Sequence, residues 1–330
     1  PIATTAAVPF EVPQVAGVVE VCKAIAKGSV TVVEPVVVQP FASVIVTEYV
    51  PAARLLAFAA DPPLGNQLYA YAEVPPAGIK EVFYDSGDLK LKAWLLDKPA
   101  DDDKHPAVVF AHGGFSFGGS DLKYGQDFID HGYILMMPML RGENGNPGNF
   151  EYFYGEVDDL LAAADYLANV SYVDSTRIFL CGHSVGGTLS ILASMMPSRY
   201  RAMASFGGTP TTEDLIINGG YPNPFDPTNR KEFELRSAVY YTDSIITPLF
   251  LYVGDQGEGS LLEFSDYFAK NVRSLGNPCE FKAVRGDHWS SVAESVSLCR
   301  GEFENISAYE ALANNRSQSY SLFLKGNDLL

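Results

Sequence analysis

Arg177-Ile178-Phe179-Leu180-Cys181-Gly182-His183-Ser184-Val185-Gly186-Gly187-Thr188-Leu189-Ser190-Ile191-Leu192-Ala193 is the stretch on which the fold turns. Its first five residues are an apolar run bounded by polar ones, which reads as a buried strand. From Thr188 to Met196 good helix formers carry apolar side chains at helical spacing. Between the two, glycines flank a serine. Such a strand-to-helix turn is tight and strained, and neighbouring side chains would collide with it. It lifts the Ser184 hydroxyl clear of the sheet edge. It also puts the Val185 amide at a helix N-terminus, where unpaired N–H groups favour developing negative charge. A bare Gly-x-Ser-x-Gly is a weak pattern; strand before and helix after make it specific. The competing reading, a serine in an ordinary glycine-rich loop, lacks those flanks. Ser184 is the candidate nucleophile.

A serine nucleophile needs a base. In sheets that carry such an elbow the order along the chain is serine, acid, histidine. Of the five histidines, His105, His112, His131, His183 and His288, only His288 follows Ser184. Cys279–Val284 reads as a strand, and Arg285-Gly286-Asp287-His288-Trp289 as the loop beyond it, so His288 is the candidate base. A tetrahedral intermediate needs donors for its oxyanion. Ala107–Ala111 reads as a strand running into His112-Gly113-Gly114-Phe115, and this turn offers the Gly114 amide as one donor, with Phe115 next in line. The Val185 amide is the second. His112 is expected to bond its own loop, and His183 to pack.

Further motifs carry a resemblance. Tyr172-Val173-Asp174-Ser175-Thr176-Arg177 followed by Gly182-His183-Ser184-Val185-Gly186-Gly187 resembles the "Tyr-Val-Asp-x-x-Arg … Gly-x-Ser-x-Gly-Gly" run of prolyl-oligopeptidase-like and dienelactone-hydrolase-like α/β-hydrolases. Met139-Leu140-Arg141-Gly142-Glu143-Asn144-Gly145 is similar to the Arg-Gly-Ser-x-Gly loop of that group, with Glu143 where serine is usual. Gly155-Glu156-Val157-Asp158-Asp159 resembles the helix that follows, and Arg236-Ser237-Ala238 and Ile245-Ile246-Thr247-Pro248 the approach to the acid-bearing strand. The resemblance covers about residues 79–313, with the motifs in order. It implies a doubly wound, mostly parallel sheet with helices on both faces and a serine hydrolase activity needing no cofactor. Strand-like segments near 81–85, 90–96, 107–112, 133–138, 177–182, 202–206, 248–253 and 279–284 agree with that α/β-hydrolase fold.

The resemblance also implies where the acid belongs: the Asp of a Gly-x-x-Asp-x-x-Val segment after the strand Thr247–Gly254. Counted from Gly254, that slot holds Gly257, which has no carboxylate. A shift of one residue brings in Glu258, with Leu261 at the following apolar position. Asp255 is the rival, nearer the strand end with a shorter side chain. Glu258 is the preferred acid and Asp255 the alternative.

The chain has 330 residues, 47% hydrophobic and 19% charged, enough for a large core. Its net charge of −17 argues against nucleic acid and against anionic membrane surfaces. No apolar run is long enough to span a bilayer. Four scattered cysteines make neither a disulfide scaffold nor a metal site, and no histidine pair has metal-ligand spacing, so neither metal nor cofactor is implied. Whether Cys279 and Cys299 meet is left open, as is the oligomeric state. Residues 1–78, rich in Val, Ala and Pro, read as an extended, strand-rich N-terminal extension; residues 79–330 read as the catalytic domain, with a cap-like insertion at about 209–244. The chain starts at Pro1 without an initiator Met, which a removed leader or a trimmed chain explains equally, so the compartment, cytoplasmic or exported, stays open. Within the insertion Tyr221 and Phe225, like Phe115 near the oxyanion turn, either line the substrate site or pack the cap. Seventy-eight residues cannot make the propeller that peptide-cleaving relatives carry. The expected substrate is therefore a small-molecule carboxylic ester, cleaved through an acyl-enzyme. The alternatives are a propeller-less peptidase and a non-catalytic binding protein on a degenerate hydrolase fold.

Overall fold

The structure is a computed structural model that describes residues 74–218 and 223–306, with a short hairpin at 24–26 and 29–31. Two units divide the chain, Pro1–Pro62 and Pro63–Leu330. In the first, strands β1 (Ala24–Ala26) and β2 (Ser29–Thr31) pair antiparallel.

The second unit is built on an eight-stranded sheet in the order β10-β9-β8-β7-β5-β6-β4-β3. The strands are β3 (Ile79–Ser86), β4 (Leu89–Leu96), β5 (His105–Ala111), β6 (Ile134–Pro138), β7 (Val173–His183), β8 (Tyr200–Phe206), β9 (Leu249–Gly254) and β10 (Cys279–Val284). All neighbours are parallel except at β4, which runs antiparallel to both β3 and β6. Each strand expected between residues 79 and 284 forms, while most of the strand-rich extension expected over 1–78 lies outside the described residues. Strand β7 begins at Val173 rather than Arg177, because Val173 pairs with His105 across an irregularity in the ladder.

The buried stretches of the central strands are almost wholly apolar because helices cover both faces of the sheet. Alternate side chains feed two cores. Val109, Leu180, Met203 and Leu251 point into one, where they meet helices α2 (Gly155–Ala168), α3 (Val185–Ala193) and α6 (Ser260–Ser274) through Leu160, Leu189 and Phe268. Phe110, Phe179, Ala204 and Tyr252 point into the other, against α1 (Leu122–Asp130) and α7 (Val292–Glu304) through Phe128, Val296 and Phe303. Phe303 stacks on Phe179 with ring centroids 4.5 Å apart. Between β8 and β9 the insertion carries the short helices α4 (Glu213–Asn218) and α5 (Arg230–Leu235). No helix among the described residues is long and apolar enough to cross a membrane. Cys181, Cys279 and Cys299 are free, buried thiols, which answers the question left open for the last two. Burial pushes the Cys279 thiol up to about 12.

In a sheet of this kind side chains and loops beyond the carboxyl ends of the parallel strands gather on one rim. The turn after β5, the elbow after β7, Gly207 after β8, the loop after β9 and the loop after β10 all lie there.

Candidate active site

The elbow forms as the glycine pattern requires. Ser184 sits at φ 55°, ψ −112°, between the end of β7 and the first residue of α3. A non-glycine residue there is strained by about 1–3 kcal/mol. Hydrogen bonds hold it in place: the Ser184 amide donates to the Phe206 carbonyl at 2.8 Å, and its own carbonyl accepts from Thr188 at 3.0 Å. A Cβ at Gly182 would run into the Gly186 carbonyl, and one at Gly186 into the carbonyl of Ala111. Neither position admits a side chain.

The His288 loop is shaped by Asp287, whose Oδ1 accepts from the amides of Trp289 (3.0 Å) and Ser290 (2.8 Å) and from the Ser290 hydroxyl (2.7 Å). Those donors, the Ser290 amide foremost, hold the Asp287 carboxyl down at about 2. His288 is half-buried, and its Nδ1 lies 3.1 Å from Oε1 of Glu258, a carboxylate left 11% exposed. A carboxylate accepts only, so Nδ1 donates and Nε2 is left as the basic nitrogen. Asp255 is engaged elsewhere: its Oδ1 accepts from the Gly286 amide at 3.0 Å and ties the loop after β9 to the loop after β10. Of the two carboxylates weighed from the sequence, the one that reaches His288 is Glu258.

The candidate nucleophile and base meet the same strand end. Phe206, which accepts the Ser184 amide, is followed by Gly207, where a Cβ would stand 3.1 Å from His288 Nδ1. His183 packs as expected. Its ring lies 4.8 Å from that of His288 and 4.9 Å from Trp289, and its Nε2–H donates to the His288 carbonyl at 2.8 Å. Burial pulls its pKa down to about 4, which keeps it neutral.

On the opposite side the His112 carbonyl accepts from Gly186 at 3.1 Å and joins the His112-Gly113-Gly114 turn to the elbow. Gly114 takes φ 69°, and together with Val185 it lines a narrow cleft. The cleft is walled by Phe115, Leu140, Phe150 and Leu189 and has room for about one water molecule. Phe115 is buried among aromatic rings, 4.8 Å from Phe150, 5.1 Å from Tyr152 and 5.8 Å from Phe153. Glu156, at the same cleft, turns back to accept from the amides of Glu151 and Tyr154, and burial pushes its carboxyl up to about 7. Phe225 belongs to the packing of the insertion: its ring lies edge-on to Phe233 at 5.5 Å, with the Arg236 guanidinium over it at 4.2 Å. Tyr221 lies outside the described residues.

Several residues that build this rim were missed in the sequence. Arg141 forms a bidentate pair with the buried Asp159 of α2 and so fixes the loop after β6. Asn144 exchanges hydrogen bonds with both backbone groups of Phe117, and Asn146 reaches the carbonyl of Met139. Glu143 accepts from His112 Nε2 at 2.8 Å. The signals available were the motifs of the resemblance that hold Arg141, Asn144 and Asp159, and Glu143, a carboxylate at a position where the resemblance has serine.

The prolyl oligopeptidase family profile matches residues 122–297. Among curated proteins the chain is 23% identical over 217 residues to the uncharacterized peptidase YtmA of Bacillus subtilis, across 60% of this chain and 81% of that one. It is 26% identical over 209 residues to the acylamino-acid-releasing enzyme of Rattus norvegicus, of which it spans only 28%. Among solved structures it shares its fold with the acylaminoacyl peptidase of Pyrococcus horikoshii (TM-score 0.57, 20% identity, 68% of this chain and 41% of that one). It shares it likewise with a Pyrococcus furiosus esterase (TM-score 0.58, 18% identity, 73% and 98%). The matched segment takes in the elbow, the insertion, the Glu258 loop and the His288 loop, and the chain belongs to the prolyl oligopeptidase family of serine hydrolases.

Proposed function

We propose that the protein is a carboxylic-ester hydrolase in which Ser184 is the nucleophile, His288 the general base and Glu258 the acid that orients it. The observation that carries this is the 3.1 Å hydrogen bond between Glu258 Oε1 and His288 Nδ1, made beside the strand end that also holds Ser184. Ser184 Oγ attacks the ester carbonyl as its proton passes to His288 Nε2. The oxyanion is received by the Gly114 and Val185 amides. His288 then gives the proton to the departing alkoxide, and a water deprotonated by the same nitrogen releases the acid from the acyl-enzyme. Glu258 stabilises the imidazolium throughout without itself taking the proton.

Two features support an ester of a short acyl group. The cleft beside Gly114 and Val185 is narrow and closed by Phe115 and Phe150, with room for about one water molecule, which favours a group the size of an acetyl methyl and argues against a long chain. The fold neighbour covered almost end to end, at 98%, is described as an esterase. The curated relative spanned over most of its length is described as a peptidase, so amide cleavage by the same residues is the reading to be set against this one. Turnover of p-nitrophenyl acetate, butyrate and octanoate is to be compared with that of aminoacyl-arylamides, with Ser184→Ala as the blank. The ester reading expects fast Ser184-dependent release from the short esters; faster release from the arylamides would replace it with the peptidase reading.

A further inference from the structure

Both ring nitrogens of His112 face acceptors. Nε2 lies 2.8 Å from Glu143 Oε1, and Nδ1 lies 3.1 Å from the Gly113 carbonyl oxygen. Ring and carboxylate are buried, 2% and 3% exposed. A neutral imidazole has one N–H and one lone pair, so it would satisfy one of these contacts and aim a lone pair at the other oxygen. Only the doubly protonated ring donates to both. The charged groups acting on it are both negative: Glu143 from the loop after β6, and Asp121 from the turn Gly119–Asp121 ahead of α1. Burial pulls the imidazole down, yet Glu143 more than offsets that and holds it at about 9. Glu143 is itself fixed, since it also accepts from the Leu140 amide, and Phe117 packs edge-on to the His112 ring at 5.8 Å.

The carbonyl that His112 holds belongs to the peptide joining Gly113 to Gly114. That peptide is a rigid plane whose C=O and N–H point in opposite directions. Anchoring the Gly113 oxygen therefore aims the Gly114 N–H away from the buried ring. With glycine on both sides, and Gly114 at φ 69°, local sterics do little to set this plane. A hydrogen bond at the carbonyl end also polarises the N–H and makes it a stronger donor.

We propose that Glu143 and His112 are a positioning pair, in which Glu143 keeps both ring nitrogens of His112 protonated and His112 sets the Gly113–Gly114 peptide so that the Gly114 amide is held ready for the oxyanion. The proposal rests on the assignment of Gly114 as an oxyanion donor. Glu143 also borders the cleft beside Gly114 and Val185, but the pair acts on the oxyanion through the Gly114 amide. The pair spans 31 residues of sequence, and Glu143 stands where the family resemblance has a serine.

The test uses the full chain with p-nitrophenyl acetate. Glu143→Gln is expected to lower kcat roughly 10- to 100-fold, the loss that follows from misplacing one oxyanion donor, with KM within about twofold. The alkaline fall in kcat is expected to move about one pH unit or more lower, because the ring loses its second proton earlier. Glu143→Asp, which keeps the charge, is expected to recover part of both. On the unsubstituted protein, 15N-labelled histidine is expected to show two protonated ring nitrogens for His112 at pH 7.5. A singly protonated His112 overturns the proposal whether or not the variants fold. Ser184-dependent turnover with kcat and pH profile unchanged in Glu143→Gln also overturns it and leaves the ester reading standing. Turnover no greater than that of Ser184→Ala in the unsubstituted protein would instead remove the ester reading, and the pair's role with it.

Discussion

Exchange of Glu258 for glutamine isolates the contact on which the catalytic assignment depends. Glu258 Oε1 accepts from His288 Nδ1 at 3.1 Å, so the ring enters the reaction with Nε2 free to take the serine proton. Glutamine offers an oxygen or an NH₂ at that point. The NH₂ would donate to Nδ1, move the ring proton to Nε2 and abolish the base. Either way the negative charge that stabilises the imidazolium is gone. In the serine-protease template the equivalent aspartate-to-asparagine change lowers kcat by about 10⁴. Here the His288 side chain is 29% exposed, so water screens part of the interaction. We expect a fall of roughly 10²–10³, or about 2.7–4.1 kcal/mol of barrier. Asp255→Asn serves as the counterpart. Its Oδ1 accepts from the Gly286 amide at 3.0 Å, which an asparagine oxygen does equally well, so kcat is expected to stay within about threefold. Both are read from p-nitrophenyl acetate turnover at pH 7.5, with the rate of fluorophosphonate labelling as a check on Ser184 reactivity. A larger loss in Asp255→Asn than in Glu258→Gln would refute the reasoning, as would a Glu258→Gln enzyme within threefold of the unsubstituted one.

Ser184→Ala and His288→Ala are each expected to remove turnover down to a residue orders of magnitude lower, and the double variant to be little worse than either; additive losses in the pre-steady-state and steady-state rates would mean that the two do not act as a unit. Phe150→Ala opens the wall of the cleft facing Phe115, so the ratio of octanoate to acetate kcat/KM is expected to rise at least about tenfold while stability falls by about 3 kcal/mol, both measurable on one preparation; an unchanged ratio would place the acyl chain elsewhere. His112 has its folded pKa raised from 6.5 to about 9, so between those values the folded chain keeps a proton that the unfolded chain has lost. Stability from this group is therefore complete below pH 6.5 and is lost as pH rises through about 9, on the order of 3 kcal/mol in all, and urea unfolding followed by tryptophan fluorescence should show that fall in the unsubstituted protein and little of it in Glu143→Gln.

The sheet was legible because its strands are short, apolar on both faces and punctuated. Leu249–Gly254 follows a proline and ends on a glycine, and Ala107–Ala111 runs straight into a His-Gly-Gly turn. Buried parallel strands carry this signal in their own residues. The early start of β7 was not legible, because it depends on a partner: Val173 extends the strand only where His105 lies alongside to pair with it. The residues from Asp174 to Arg177 are polar, and their local pattern reads as a loop before the strand.

The same division runs through the site. Ser184, Gly182 and Gly186 were readable because the constraint is local: a strained φ at 184, and no room for a Cβ on either side. His288 was readable by elimination, as the one histidine beyond the elbow. The preference for Glu258 over Asp255 was readable through the one-residue shift and the longer side chain, but not what occupies Asp255, since that turns on where the Gly286 amide falls. That amide engages Asp255, and the added residue in the loop after β9 is matched by the longer reach of the glutamate. For Glu143 no spacing rule helps. A carboxylate buried beside an imidazole has meaning only when both ends of the contact are in view, and here they arrive from loops after β5 and after β6. Residues that shape the backbone of a site leave their mark in the local sequence. Residues that hold another side chain in its charge state act across the fold, and so the motif supplied the elbow while the structure supplied the groups that aim its neighbouring amide.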